Sequence, residues 1–549
     1  MADPYVSQPV QLSLMEQLRA MLINRRDRQR LTRLALKAAK AARPDVSIKP
    51  VVFFNASTRL VGLSQNAAFS FLTALGLQQS GVPVVHFGCR AGMTRCVLGT
   101  VRRSPQEPPP CAKCISQSER LFGHAPIVWF KYRPNAALEA ALANLDLAAL
   151  SQFEYAFDGH SIPLGRLVLH SLRWALRQYD LQDDDTTRFF LRDYIKSAYQ
   201  LATDYAALID RLEPGSLVIF NGIMYPEATA RWVGLRRQYQ VITYEVAYEP
   251  FSAFFSAQLA TRYPIDIPAD FQLSAAQNQQ LDAYLENRFQ GNFSMAGIQF
   301  WPEMRGLNPT LLERLQAFRQ VVPVFTNVIY DTSQIDTNVA FTHMFDWLDH
   351  LLPIMRSHPD TLFVIRAHPD EKRPGKESRQ SVQNWVADNQ VEALPNVVFI
   401  PSREFVSSYE LIQRSKFVLV YNSSIGLEAT LLGTPVICAA QARYTQYPIV
   451  HFPQTVTAYQ QQVEALLADE QAHLPEEFST NARRFLYYQL FRASLPFGEF
   501  IESAARPGFV HLCSFDLDAL HPDVCTTTRV IRDGILNNQP FLMPDTPIP

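Results

Sequence analysis

The chain carries none of the compact motifs that mark the commonest enzyme chemistries. No GxGxxG follows a strand, no GxxxxGK[ST] loop is present, and neither HExxH nor a GxSxG elbow occurs. Dinucleotide, P-loop, zincin and α/β-hydrolase readings therefore lose their best support. Long apolar runs are missing as well: the most apolar, such as Phe417-Val418-Leu419-Val420, are strand-sized and far short of a bilayer-spanning helix. No charge of one sign prevails. Lys plus Arg number 50 against 52 Asp plus Glu, a formal net charge of −2, so no global field draws the protein to nucleic acid or an anionic membrane. Cysteine is scarce and odd in number, seven in all, and the first ten residues show no apolar export core. Both point to a reducing, cytoplasmic setting.

What is present is a globular composition. Hydrophobic residues make up 47% and charged residues 19% of 549, with 36 Phe and 21 Tyr, enough for two to four separate cores. Residues 1–45 read as a basic helical extension. Arg19, Arg25, Arg26, Arg28, Arg30, Arg33, Lys37, Lys40 and Arg43 face only Glu16 and Asp27, with Leu and Ala at helical spacing. Two uses compete for this segment, a peripheral membrane contact through residues 15–43 and a solvated helix packed on its own domain.

From residue 46 short apolar strands alternate with helices, first over 46–315 and again, with tighter connections, over 316–470. That alternation predicts an α/β protein of two Rossmann-like, doubly wound domains, each a parallel sheet covered on both faces. A Pro- and Cys-containing loop interrupts the first domain at 88–114, and 471–549 reads as C-terminal helices and tail.

Two strand ends in the second domain carry groups suited to a phosphorylated ligand. One is Arg366-Ala367-His368-Pro369-Asp370-Glu371. Pro369 keeps His368 out of a helix, so its imidazole sits at the carboxyl end of a strand, where open parallel sheets bind ligands, with Arg366 as a second anion contact. The other is Tyr421-Asn422-Ser423-Ser424-Ile425-Gly426-Leu427-Glu428. There a strand leaves into a helix whose first amides, with Ser423 and Ser424, form an anion site, and Glu428 is placed to accept from ribose hydroxyls. Each also has a bland reading: a buried histidine satisfied by backbone, and an ordinary capped helix with a surface glutamate.

In this order the two segments resemble the nucleotide-binding half of GT-B glycosyltransferases, especially the capsular-polysaccharide enzymes with His-Pro and Ser-Ser motifs. Teichoic-acid glycerophosphotransferases have a similar pair. The resemblance covers about residues 321–447 well and the first domain in outline. It implies two facing domains, a nucleotide-sugar held by His368, Ser423, Ser424 and Glu428, and a glycan or lipid-linked acceptor on the first domain. It implies no cofactor for catalysis.

An inverting transfer needs a general base on the acceptor hydroxyl. Glu245, after a clear strand, is the first candidate, and Asp158 with His160 the next. Asn55, Ser57, Thr58, Arg59 and Gln65 are placed to line the acceptor side. Cys89, Cys96, Cys111 and Cys114, the last two spaced as CxxC, have the ligand count of a structural zinc site or an iron–sulfur cluster, against free thiols or a redox pair. Other functions on the same fold are a nucleotide-sugar 2-epimerase, a polyol-phosphate transferase and a non-catalytic partner in glycan assembly.

Overall fold

The structure is a computed structural model that describes residues 14–56, 62–290, 305–373, 377–504 and 508–545, with side chains from residue 25. The strands of its two large sheets are β1 (Val51–Asn55), β2 (Val84–Cys89), β3 (Ile127–Phe130), β4 (Ser216–Phe220), β5 (Gln240–Val246), β6 (Ser252–Ser256), β7 (Gln320–Phe325), β8 (Thr361–Arg366), β9 (Val397–Ile400), β10 (Val418–Val420), β11 (Val436–Cys438) and β12 (Leu495–Pro496). They form a seven-stranded sheet in the order β12-β6-β5-β4-β1-β2-β3 and a five-stranded sheet in the order β9-β8-β7-β10-β11.

Both sheets share one logic. Counted within each unit, the parallel strands run 3-2-1-4-5, so winding reverses beside the first strand. Alternate residues of a strand feed opposite apolar layers. Val51 and Phe53 enter one layer of the first sheet while Val52 and Phe54 enter the other. In the second sheet Val322 and Val324 face one layer, Val321 and Phe325 the other. This two-sided burial is why the strands read as continuous apolar runs rather than as alternating ones.

The segment after residue 494 departs from the expected tail. Leu495–Pro496 pairs antiparallel with β6, and Phe509–Leu512 pairs with both Ile501–Ser503 and Leu63–Ser64. Thr526–Asn537 is a helix that buries Ile531 and Ile535 in the same layer as Phe71 and Leu75. Its Thr-rich start hides it in the sequence, since β-branched polar residues argue weakly for helix.

The basic helix, Leu14–Ala41, lies against that returning chain. Leu31, Ala35 and Ala38 are buried, Arg30 donates to the Leu512 carbonyl at 2.7 Å, Lys37 pairs with Asp516, and Asp27 pairs with His511. Packing on its own protein accounts for the apolar stripe, while Arg25, Arg26, Arg28, Arg33 and Lys40 remain exposed. No helix among the described residues is long and apolar enough to cross a membrane.

Asn55 is a core residue and not part of an acceptor surface. Its amide meets His86 Nδ1 at 3.0 Å and its oxygen accepts from Ser70 Oγ at 3.0 Å. His124 Nδ1 meets Gln78 Oε1 at 2.6 Å, and the two imidazoles stack edge-on 5.0 Å apart. Burial depresses both histidines, His124 to about 3 and His86 well below 6.5. The unfolded chain therefore binds more protons below pH 6.5, and the stability present above that pH is lost as pH falls toward the folded values. Glu371 acts in the opposite sense. Burial raises it from 4.5 to about 7, so between those values the folded form takes up the proton and gains stability as pH falls. Two histidines outweigh one carboxyl, so unfolding free energy at pH 5.5 is expected below that at pH 7.5. Glu371→Gln should steepen the loss toward about 1.4 kcal/mol per histidine. Urea unfolding at the two pH values measures it.

Candidate functional site

The carboxyl edges of the two sheets face each other across a cavity of about 510 Å³. Its floor on the second sheet is the place where the winding reverses: β7 runs out into Asn327 and Val328, β10 into Asn422, Ser423 and Ser424, and all of these line the cavity. The loop after β8 adds His368 and Asp370. Across the gap the first domain contributes Trp174, Ile223, Tyr248 and the stretch around Arg262.

His368 owes its orientation to Pro369, which opens a short 3₁₀ turn and leaves His368 extended as the residue before it. Its Nδ1 accepts the Asp370 N–H at 3.1 Å. Desolvation lowers the imidazole, with Asp370 and Asp331 pulling the other way, so the neutral ring keeps its proton on Nε2 as a donor for the cavity.

Ser424 opens the helix Ile425–Leu431 with no side-chain cap bond, which leaves its hydroxyl for the cavity. The helix is seven residues long, and the N–H groups of Gly426 and Leu427 already bond to Ser423 and Ser424 carbonyls. Its contribution to anion binding is thus smaller than the sequence suggested, and hydroxyls and imidazole take the larger share. Gly426 is required here because a Cβ would lie 2.2 Å from Tyr444 Oη, which donates to the Ser423 carbonyl at 2.7 Å and fixes the turn.

Several expected site residues are placed elsewhere. Arg366 is 3% exposed, donates through Nη1 to the Pro401 carbonyl at 3.1 Å and does not line the cavity; burial lowers it to about 10. Both oxygens of Glu428 are engaged internally, one by Arg288 at 2.6 Å and the other by the Tyr409 hydroxyl at 2.7 Å, and the buried carboxylate does not line the cavity. Asp158 and His160 sit on the exposed hairpin Tyr155–Phe157 and His160–Ile162, where Asp158 pairs with Arg237 at 2.9 Å, outside the cavity. Glu245 accepts from Asn221 Nδ2 and from the Val246 N–H, both at 2.9 Å, is half-buried and does not line the cavity. Gln65 is buried as the first residue of the helix Gln65–Gln79, and Ser57, Thr58 and Arg59 lie outside the described residues.

The four cysteines do not form a metal set. Cys89 ends β2, Cys96 precedes a 3₁₀ turn, and Cys111 and Cys114 lie on the first turn of the helix Cys111–Phe122. They are electrostatic neighbours, yet among the described residues no group of three or more His, Cys, Asp or Glu is arranged to hold a metal ion. Desolvation pushes the Cys89 thiol up to about 12 and Cys96 to about 11, which favours the protonated form.

The groups that join the two halves are not marked in the sequence. Arg262 donates to Gln441 Oε1 at 2.9 Å and to the Asp336 carbonyl at 3.0 Å, and Arg443 stacks 3.8 Å above the Tyr263 ring. On the other flank Gln380 accepts from the Tyr179 N–H at 2.7 Å and donates to Asp180 at 2.9 Å. Asn327 could have been found from strand order alone, because it follows the first strand of its sheet at the winding reversal. Arg262 and Arg443 carry no local signal; only their pairing across the gap reveals them.

Among solved structures the chain is similar to a putative UDP-N-acetylglucosamine 2-epimerase from Listeria monocytogenes at 11% identity, over 80% of this chain and 95% of that one, with a TM-score of 0.25. It is also similar to two Thermosulfurimonas dismutans KpsC structures. The beta Kdo 2,4 transferase matches at 12% identity over 51% of this chain and 80% of that one, TM-score 0.32. The beta Kdo 2,7 transferase matches at 14% over 56% and 85%, TM-score 0.33. No curated protein matches. Residues 307–471, which contain the whole second sheet with His368 and Ser424, match the family of capsule polysaccharide biosynthesis proteins.

Proposed function

We propose that the protein is a glycosyltransferase of surface-polysaccharide assembly, taking a sugar from a nucleotide-sugar and passing it to a glycan or lipid-linked acceptor. The observation that carries this reading is a single cavity. It joins His368 and Ser424, at the winding reversal of a Rossmann-like sheet, to a wall supplied by the facing domain. The match of residues 307–471 to capsule polysaccharide biosynthesis proteins supports the same class.

In this reading the donor's phosphates lie against the second sheet, where the Nε2–H of His368 and the hydroxyls of Ser423 and Ser424 donate to them. Departure of the nucleotide builds negative charge on the bridging phosphate oxygen, and donors fixed in advance stabilise it at little reorganisation cost. A general base for the acceptor hydroxyl is drawn from the carboxylates that line the cavity, Asp266 on the first domain and Asp331 and Asp370 on the second, and not from Asp158. The exposed arginines of the first helix would hold the enzyme at an anionic membrane.

The test is a thermal-unfolding screen against UDP, CMP, CDP, GDP and their sugars. A ligand at 100 times its dissociation constant stabilises the fold by about 2.7 kcal/mol. The expected result is a rise in Tm with one nucleotide class, lost in Ser424→Ala. No response to any nucleotide would remove the donor site. Epimerised free nucleotide-sugar formed without acceptor would move the protein to the epimerase class.

A further inference from the structure

A second concavity, of about 520 Å³, lies on the first domain at the carboxyl end of β3, the edge strand of its sheet. We propose that it is a glycan-binding subsite that holds a stretch of the acceptor polysaccharide outside the catalytic cleft. The assignment of the bound glycan as acceptor rests on the transferase reading above; the binding chemistry of the groove does not.

Three features point to a polyol and not to a phosphate. First, Tyr132 and Tyr199 both border the groove, and aromatic faces of this kind pack against the C–H faces of sugar rings. Second, the cations at the groove are already matched: Arg133 pairs with Asp204, and Lys196 with Asp193 at 2.7 Å. Their N–H groups can still serve hydroxyls, while the net field that would select a phosphate is cancelled. The Tyr132 phenol, pushed up to about 12 by burial and by Glu139, adds a neutral hydroxyl.

The third feature is an unmet demand. Gln200 lines the groove, is 8% exposed, and its Nε2 has no hydrogen-bond partner among the described residues. That atom has less than 1 Å² of accessible surface, so a ligand reaches it only when the side chain turns outward; leaving a buried amide donor unpaired costs about 1–3 kcal/mol, which favours that turn once a hydroxyl is there to accept. Asn135 complements it: its oxygen caps the helix Ala136–Leu142 by accepting from Leu138 N–H at 3.0 Å, which directs its amide nitrogen to other partners.

Topology connects the groove to the cleft. Both lie at the carboxyl edge of the same parallel sheet, and β3 stands two strands beyond β1, which borders the winding reversal. The cleft residues Ile223 and Tyr248 follow β4 and β5, three and four strands from β3, so at about 4.8 Å per strand the separation along the edge is roughly 14–19 Å, which a chain of a few sugars spans.

Titration of the full-length protein with maltohexaose, chitohexaose and tetrameric sialic acid, followed by calorimetry, tests the assignment. The expected result is binding of at least one of these, weakened tenfold or more in Tyr132→Ala and in Thr203→Trp. The second variant fills the groove from an exposed position and so leaves the core intact. The Tm rise with nucleotide should persist in both. Glycan binding unchanged in both variants, or absent for all three probes in the wild type, overturns the subsite. Groove-dependent glycan binding without any nucleotide response would keep the subsite and sink the transferase reading instead.

Discussion

His368→Ala should lower kcat/KM for nucleotide-sugar transfer by about 10²–10³, the loss seen when one fixed donor to a developing oxyanion is removed. Unfolding should change little, because among the described residues the imidazole makes a single internal hydrogen bond, accepted from the Asp370 N–H. Two readouts separate this role from a merely structural one. Because the ring is already neutral, with desolvation holding it below its ordinary value, the donor persists as pH rises above 6.5; activity should not fall there for want of its proton. His368→Asn offers an amide N–H from a shorter side chain and should recover part of the rate, whereas His368→Phe fills the volume and should recover none. Steady-state kinetics over pH 6–9 with all three variants measures this. An alanine variant with full activity would leave the cavity without its imidazole donor and the donor site without its main support.

The parts of this molecule that were legible in the sequence are those fixed by neighbours close along the chain. Val322 to Phe325 and Leu362 to Ile365 are β-branched or apolar throughout, so their strands and two-sided burial follow from composition alone. His368 and Ser424 were legible for the same reason. Pro369 sits beside the first, and the strand Val418–Val420 leading into the capping residues Asn422, Ser423 and Ser424 marks the second.

What the sequence concealed depends on partners far away. Asn55 looked like a loop residue at a strand end until His86, 31 residues on, engaged its amide. Asp158 looked like an acid beside a histidine, yet its partner Arg237 lies 79 residues further and holds it to the surface. Arg262 and Gln441 are 179 residues apart and become a site wall only when the two sheets meet. The cysteines show the converse: their spacing does bring the four into electrostatic range of one another, yet among the described residues they are not arranged to hold a metal ion.

The largest effect on stability is expected at Glu428. Its carboxylate and the Arg288 guanidinium are only 7% and 4% exposed, and Tyr409 donates to the remaining oxygen. Removing one member of such a pair leaves an uncompensated buried charge, at a cost of about 3–5 kcal/mol. Glu428→Ala and Arg288→Ala should therefore each destabilise strongly, and the double variant should lose much less than the sum, since it strands neither charge. Tyr409→Phe, which only takes away a hydroxyl donor, should cost about 1–3 kcal/mol. Denaturant unfolding of the four variants gives the cycle directly. The pair bears on function because Arg288 lies on the helix Ala275–Phe289, while Glu428 lies on the short helix that Ser424 opens. Glu428→Gln keeps the shape and a hydrogen bond to Tyr409, so nucleotide affinity should survive in it as far as folding does. A ribose contact would give the opposite pattern, a folded protein of unchanged midpoint that no longer retains its nucleotide. The two patterns separate cleanly because Glu428 is buried and does not line the cavity, so its carboxylate acts on the fold and not on a ligand.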